Sequence, residues 1–73
     1  MHRSALTLIT LRRELAARHA RIHRLWVSAG NAYRRLLAAP VQNLAALRAA
    51  SQRLQRLERG RAALRRDLKA LAD

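Results

Sequence analysis

The chain has 73 residues, which is enough for one small domain and too little for several. Its apolar residues are mostly alanine and leucine, Trp26 and Tyr33 are the only Trp, Tyr or Phe residues, and the lack of cysteine excludes disulfides and thiolate metal sites. Sixteen Lys and Arg residues against four Asp and Glu give a formal charge of +12. Two interpretations stay open: an anionic partner, because guanidinium groups pair with phosphates and carboxylates, or the codon usage of a GC-rich genome.

The first predicted element is a helix over residues 4 to about 38, with Ser4 as its N-cap. Apolar residues recur at steps of three and four from Leu8 to Leu36, which indicates one apolar stripe on a helix. Gly30-Asn31 is a common helix stop signal. Because the stripe keeps its phase past this pair, an uninterrupted helix is favoured, and a kink at Gly30 is the alternative.

The second predicted element follows the single proline, Pro40. Proline cannot continue a helix from its N-terminal side, but it is tolerated at the first helical position. We therefore predict a turn at residues 39–41 and a second helix over about 41–72. Its apolar stripe runs from Leu47 to Leu71.

The two stripes match when the chain is folded at the Ala39–Pro40 bond, so that partner numbers add to 79 and Leu11, for example, meets Leu68. This matching predicts an all-α fold: an antiparallel two-helix hairpin with a coiled-coil-like seam, forming one domain over residues 1–73. Because a lone hairpin of this size buries little apolar surface, we expect self-association or a partner to complete a helical bundle.

One layer of this register pairs Arg18 with Arg61. Two like charges in a seam are costly unless their side chains reach water or a counter-ion. Both side chains can extend outward or reach Glu14 and Glu58 one turn earlier. The alternative is that this polar layer sets the register or receives a carboxylate or phosphate from a partner.

The aromatic residues Trp26 and Tyr33 lie seven positions apart and so share one edge of the predicted hairpin, where Leu37 and Leu44 extend the apolar patch towards the turn. These four residues are the predicted partner-binding surface, because Trp and Tyr often anchor interfaces. The alternative is that they fill the edge of the hairpin's own seam.

The arginines also predict anion binding, which makes a nucleic-acid-binding module led by phosphate contacts the first alternative function. Against it, the arginines are spread around both helices, and aromatic residues for stacking on bases are scarce. The candidate anion-binding residues are Arg12, Arg13, Arg21, Arg24, Arg34, Arg35, Arg53, Arg56, Arg65 and Arg66.

Little in the sequence predicts catalysis. The acidic residues form no obvious pair, no glycine-rich loop is present, and we expect a two-helix seam to leave no pocket of roughly a few hundred Å³. His19 and His23 share a helix face, but zinc needs a third and usually a fourth ligand, so no metal site is predicted. We therefore expect a non-enzymatic interaction or adaptor protein, with no cofactor or small-molecule substrate, that binds an acidic partner protein or self-associates.

The location of the protein is predicted from its hydropathy. No segment approaches the roughly 20 apolar residues of a membrane span. The apolar run that ends at Leu11 is short, has no small-residue cleavage site and is followed at once by Arg12 and Arg13. We expect a cytoplasmic protein.

In its length, its two helices and a proline-containing turn followed by Gln42, the chain resembles the small helical-hairpin chaperones of type III secretion needle subunits. The likeness extends over the whole chain as architecture. It implies a hairpin fold and, as a second alternative function, that of a small secretion-type chaperone.

Overall fold

The computed structural model describes residues 5–72, which form two helices and no strand. Helix α1 spans Ala5–Ala38 and helix α2 spans Leu44–Ala72, and the two pack against each other as an antiparallel hairpin measuring 61 × 16 × 14 Å. The predicted all-α hairpin is confirmed. Helix α1 continues through Gly30 without a break, and the predicted N-cap Ser4 lies outside the described residues.

The turn is longer than the sequence predicted, because Pro40 ends α1 but does not begin α2. Residues 39–43 are non-helical, and α2 begins at Leu44. Asn43 caps α2: its Oδ1 accepts a hydrogen bond from the Ala46 N–H at 3.0 Å. On the other side, Gln42 Nε2 donates to the carbonyl of Leu37 at 3.1 Å and so binds the last turn of α1.

The longer turn moves the register by about one helical turn. Ile22 faces Gly60, where an added Cβ would lie 2.6 Å from Ile22 Cδ1, and these residue numbers add to 82. Arg12 Nη2 donates to the carbonyl of Leu71 at 3.0 Å, a pair that adds to 83. The predicted sum of 79 is therefore wrong, because the chain reverses around residue 41 and not at the Ala39–Pro40 bond.

The shifted register separates Arg18 from Arg61, which were predicted to share a layer. Arg61 lies beside Gly60 on the seam and its side chain is 16% exposed, whereas Arg18 is exposed to solvent. Arg18 and Arg61 thus no longer face each other, which removes the repulsion that the predicted layer would have carried.

The core of the hairpin is thin. Ala29, at 7% exposure, is the one buried residue among those described, and no large side chain is fully buried. The accessible surface is 6001 Å². A compact monomer of this mass would expose about 4,600 Å², so the hairpin exposes about 1,400 Å² more than a compact fold.

Candidate functional site

One edge of the hairpin contains an apolar groove, here called the Trp groove, with a volume of about 390 Å³. Trp26 and Tyr33 were predicted to share this edge, and the structure places both in the groove. Val27 and Gly30 line it from α1, and Leu54 lines it from α2. The polar residues Arg34, Gln55 and Glu58 complete its walls.

The groove also corrects an expectation about pockets. Two helices alone were expected to leave no space of a few hundred Å³. The space exists because Trp26 and Tyr33 stand beside α2 while Gly30, between them, has no side chain to fill it. An added Cβ at Gly30 would meet Leu54 Cδ2 at 3.9 Å.

Trp26 is fixed at one end of the groove by Arg61. The guanidinium carbon of Arg61 lies 4.2 Å from the centre of the Trp26 ring, which is cation–π geometry. Nη2 of Arg61 lies 3.5 Å from Oε1 of Glu58, and its Nη1 lies 3.4 Å from Nδ1 of His23. Because guanidinium only donates, His23 must accept through Nδ1. The Arg61–Glu58 contact is one of the alternatives that the sequence offered for the charged layer.

The histidines continue this cluster away from the turn. His23 packs against Trp26 with ring centres 5.8 Å apart, and His19 stacks on His23 at 6.2 Å. Nε2 of His19 is buried and has no hydrogen-bond partner, and the same is true of Nε of Arg61. No group of three His, Cys, Asp or Glu side chains suited to a metal ion occurs within residues 5–72.

A second groove, here called the cationic groove, lies further from the turn and has a volume of about 480 Å³. His19 lines it from α1, at one end of the histidine stack. Its α2 wall contains three basic residues, one alanine and one leucine. The α2 residues are Ala62, Arg65, Arg66, Leu68 and Lys69.

The other residues of the predicted partner surface lie outside the Trp groove. Leu37 is 44% exposed and Leu44 is 71% exposed, and neither lines the groove. Sequence reasoning missed Val27 and Leu54, which do. Leu54 belongs to the apolar stripe predicted for the second helix, and only the packing of the two helices shows that its Cδ2 reaches the groove beside Gly30.

The predicted anion-binding arginines divide into separate environments. Arg12 is used to bind the carbonyl of Leu71, Arg34 donates to Asn31 Oδ1, and Arg53 lines a shallow alanine cleft with Ala29 and its neighbours. Two of the set, Arg65 and Arg66, converge with Lys69, which the sequence analysis had not selected. The remaining members are exposed, as is Glu14 of the predicted polar layer; they are Arg13, Arg21, Arg24, Arg35 and Arg56.

Neither helix, over residues 5–72, contains a stretch long and apolar enough to cross a membrane. Comparison with known proteins gave no match of this chain to a protein-family model, a curated protein or a solved structure.

Proposed function

We propose that the protein is a non-enzymatic helical interaction protein that works by association through its Trp26 edge. The observation that carries this proposal is the unburied surface of a two-helix rod with a single buried residue in its described part. A standard protein interface removes about 800 Å² from each partner. The excess of about 1,400 Å² over a compact monomer is therefore enough for a full interface.

The Trp groove is the best-formed place for such a contact. It combines a Trp and a Tyr with aliphatic residues, a composition typical of interface anchors. Arg61 already holds the Trp26 ring in place. A partner therefore meets a side chain whose rotamer is largely fixed, which lowers the entropy lost on binding.

The experiment that tests the proposal is affinity capture from native cells after nuclease treatment, comparing the natural chain with two variants. Trp26→Ala removes the anchor of the groove. Val41→Ala changes an apolar residue that is 86% exposed in the turn and lies outside the groove. We expect nuclease-resistant protein capture that Trp26→Ala abolishes and Val41→Ala leaves intact.

Binding of nucleic acid is the second candidate function, and the charge of +12 with many exposed arginines favours it. Phosphate-led binding predicts that log affinity falls steeply and linearly with log salt. It also predicts indifference to Trp26→Ala. Captured material that nuclease removes, from the natural chain and Trp26→Ala alike, would replace the first proposal with this one.

A secretion-type chaperone is a narrower form of the first proposal. It is supported by the shared hairpin outline and the proline-containing turn. It differs in predicting that the captured partner is a single subunit of a secretion apparatus, which identification of the captured protein by mass spectrometry would test.

A further inference from the structure

We infer that the Trp groove and the cationic groove form one continuous track for a single amphipathic helix of a partner protein. The apolar part of that helix occupies the Trp groove, and its Asp or Glu side chains occupy the cationic groove. This inference rests on the proposed function and adds the chemistry and polarity of the partner.

The two grooves follow each other along the same edge. His19 lines the cationic groove, and Trp26 and Tyr33 line the Trp groove. These three residues are spaced by seven, so they fall on one stripe of α1. From His19 to Tyr33 the helix rises about 21 Å, which is the length of about four turns of a partner helix.

The cationic groove has the composition of a carboxylate site. Arg65, Arg66 and Lys69 converge there, and none of them pairs with an acidic side chain within residues 5–72. His19 lines the same groove from α1. A carboxylate can accept charge-assisted hydrogen bonds from several of these three cations at once.

The Trp groove disfavours carboxylates, which gives the track its polarity. Its wall holds both signs of charge: Glu58 lies 3.5 Å from Arg61, and Arg34 already donates a hydrogen bond within α1. A partner carboxylate placed here would lose water against the apolar surfaces of Trp26 and Leu54, and the nearby cations are already engaged. Acidic residues of the partner are therefore directed to the open end of the hairpin.

Charge argues against the two other occupants. A second copy of the chain would bring another +12, with sixteen cations against four acids, to a groove that is already cationic. A nucleic acid would satisfy the cationic groove, but its phosphates would gain nothing from the apolar Trp groove. An acidic amphipathic helix uses both.

The test uses two fluorescent 16-residue helical peptides of identical composition and no tryptophan. The split peptide carries leucines in one half of its binding face and glutamates in the other half. The mixed peptide alternates them. Anisotropy gives the affinities, and Trp26 emission reports on the groove, because it is the one tryptophan in the chain. We expect the split peptide to bind at least about 10-fold more tightly; equal binding of the two would overturn the inference.

Matched charge variants locate the contact. Arg65→Glu with Lys69→Glu reverses two cations of the cationic groove. Arg48→Glu with Arg59→Glu reverses two exposed arginines outside both grooves. Both pairs lower the net charge by four, so long-range attraction weakens equally. We expect about a 10-fold or larger loss of split-peptide affinity in the first pair and less than about 3-fold in the second. Equal losses would contradict the inference.

Tyr33→Ala should weaken binding of the split peptide and reduce its advantage over the mixed peptide. Comparing partner capture with peptide binding separates this inference from the proposed function. If partner capture depends on Trp26 but neither peptide binds better, the proposed function stands and the inference fails. An oligonucleotide that outcompetes the split peptide, or a micromolar dimer lost on Trp26→Ala, would assign the track to nucleic acid or to a second copy instead.

Discussion

The half of the hairpin near the turn and the half near its open end are built from the same two helices but pack differently. Near the turn the seam is made of small residues, including Ala29, the buried residue, and Ala32, Ala49 and Ala50 beside it. Small side chains let two helices approach closely, so the contact surfaces are shielded from water, but they bury little apolar area.

The open end has the opposite balance. The α1 residues Leu6, Leu8 and Ile9 are 73%, 45% and 44% exposed. Partner numbers that add to about 82 pair these residues with positions beyond Ala72, the last described residue of α2. Within residues 5–72, these large apolar side chains therefore have no facing residue on the other helix.

Close fit and apolar area are separated in this hairpin. The seam is closest where its residues are small and bury little area, whereas large apolar side chains stay exposed at both ends, with Leu6 and Leu8 at the open end and Val41 and Leu44 at the turn. A helical bundle built with a partner would gain most at the open end and along the Trp26 edge.

The largest expected effect concerns the register that both halves share. Leu11→Cys with Leu71→Cys should form a disulfide within one chain in high yield, because the observed register places these positions opposite each other. Leu11→Cys with Leu68→Cys, the pair from the sequence-based register, should form it poorly. Mass spectrometry after mild oxidation measures both yields. A higher yield from the Leu11 and Leu68 pair would show that the helices have a different register at the open end than near the turn.

The next largest expected effect compares how much stability is lost when the Trp26 side chain is removed and when a leucine side chain at the open end is removed. Trp26→Ala should lower the free energy of unfolding by about 2 kcal/mol, because the ring is half-buried and packed on Arg61 and His23. Leu8→Ala should cost only about 0.5 kcal/mol, because Leu8 is 45% exposed. Urea unfolding followed by circular dichroism measures both. Equal costs would mean that the open end is as well packed as the middle.

The two arginines of the predicted layer give a smaller contrast. Arg61→Ala should cost about 1–2 kcal/mol, because it removes the cation–π contact with Trp26 and the packing of the arginine stem. Arg18→Ala should change stability by less than about 0.5 kcal/mol, because Arg18 is exposed. Thermal unfolding of the single variants compares them. Similar losses of stability at both positions would mean that Arg18 and Arg61 share one layer of the seam after all.

The smallest effect distinguishes the two glycines. Gly30→Ala should stabilise the protein by about 0.5–1 kcal/mol, because alanine favours helix and its Cβ would make ordinary contacts at 3.9 Å. Gly60→Ala should gain less or lose, because its Cβ would lie 2.6 Å from Ile22 Cδ1, which must move. Paired urea titrations resolve the difference. If Gly60→Ala were more stable than the natural chain, Ile22 Cδ1 could not lie against Gly60 as the structure shows.

The turn shows why the register could not be predicted from the sequence. Pro40 indicates that α1 must end, and it does. Asn43 is as good an N-cap as the sequence contains, but proline is also tolerated at the first helical position. Local preferences allow both starts, and they differ by three residues, enough to give every seam residue a new partner.

The sequence by itself determined the two helices, the chain reversal near Pro40, and the shared edge of Trp26 and Tyr33. These features follow from local backbone chemistry and from the spacing of apolar residues, which neighbouring residues alone encode. The tertiary structure decided which residues face each other: Gly60 against Ile22, Arg61 under Trp26, and Lys69 beside Arg65. Those contacts depend on packing between the helices, because a shift of one turn preserves both stripes while it exchanges every partner across the seam.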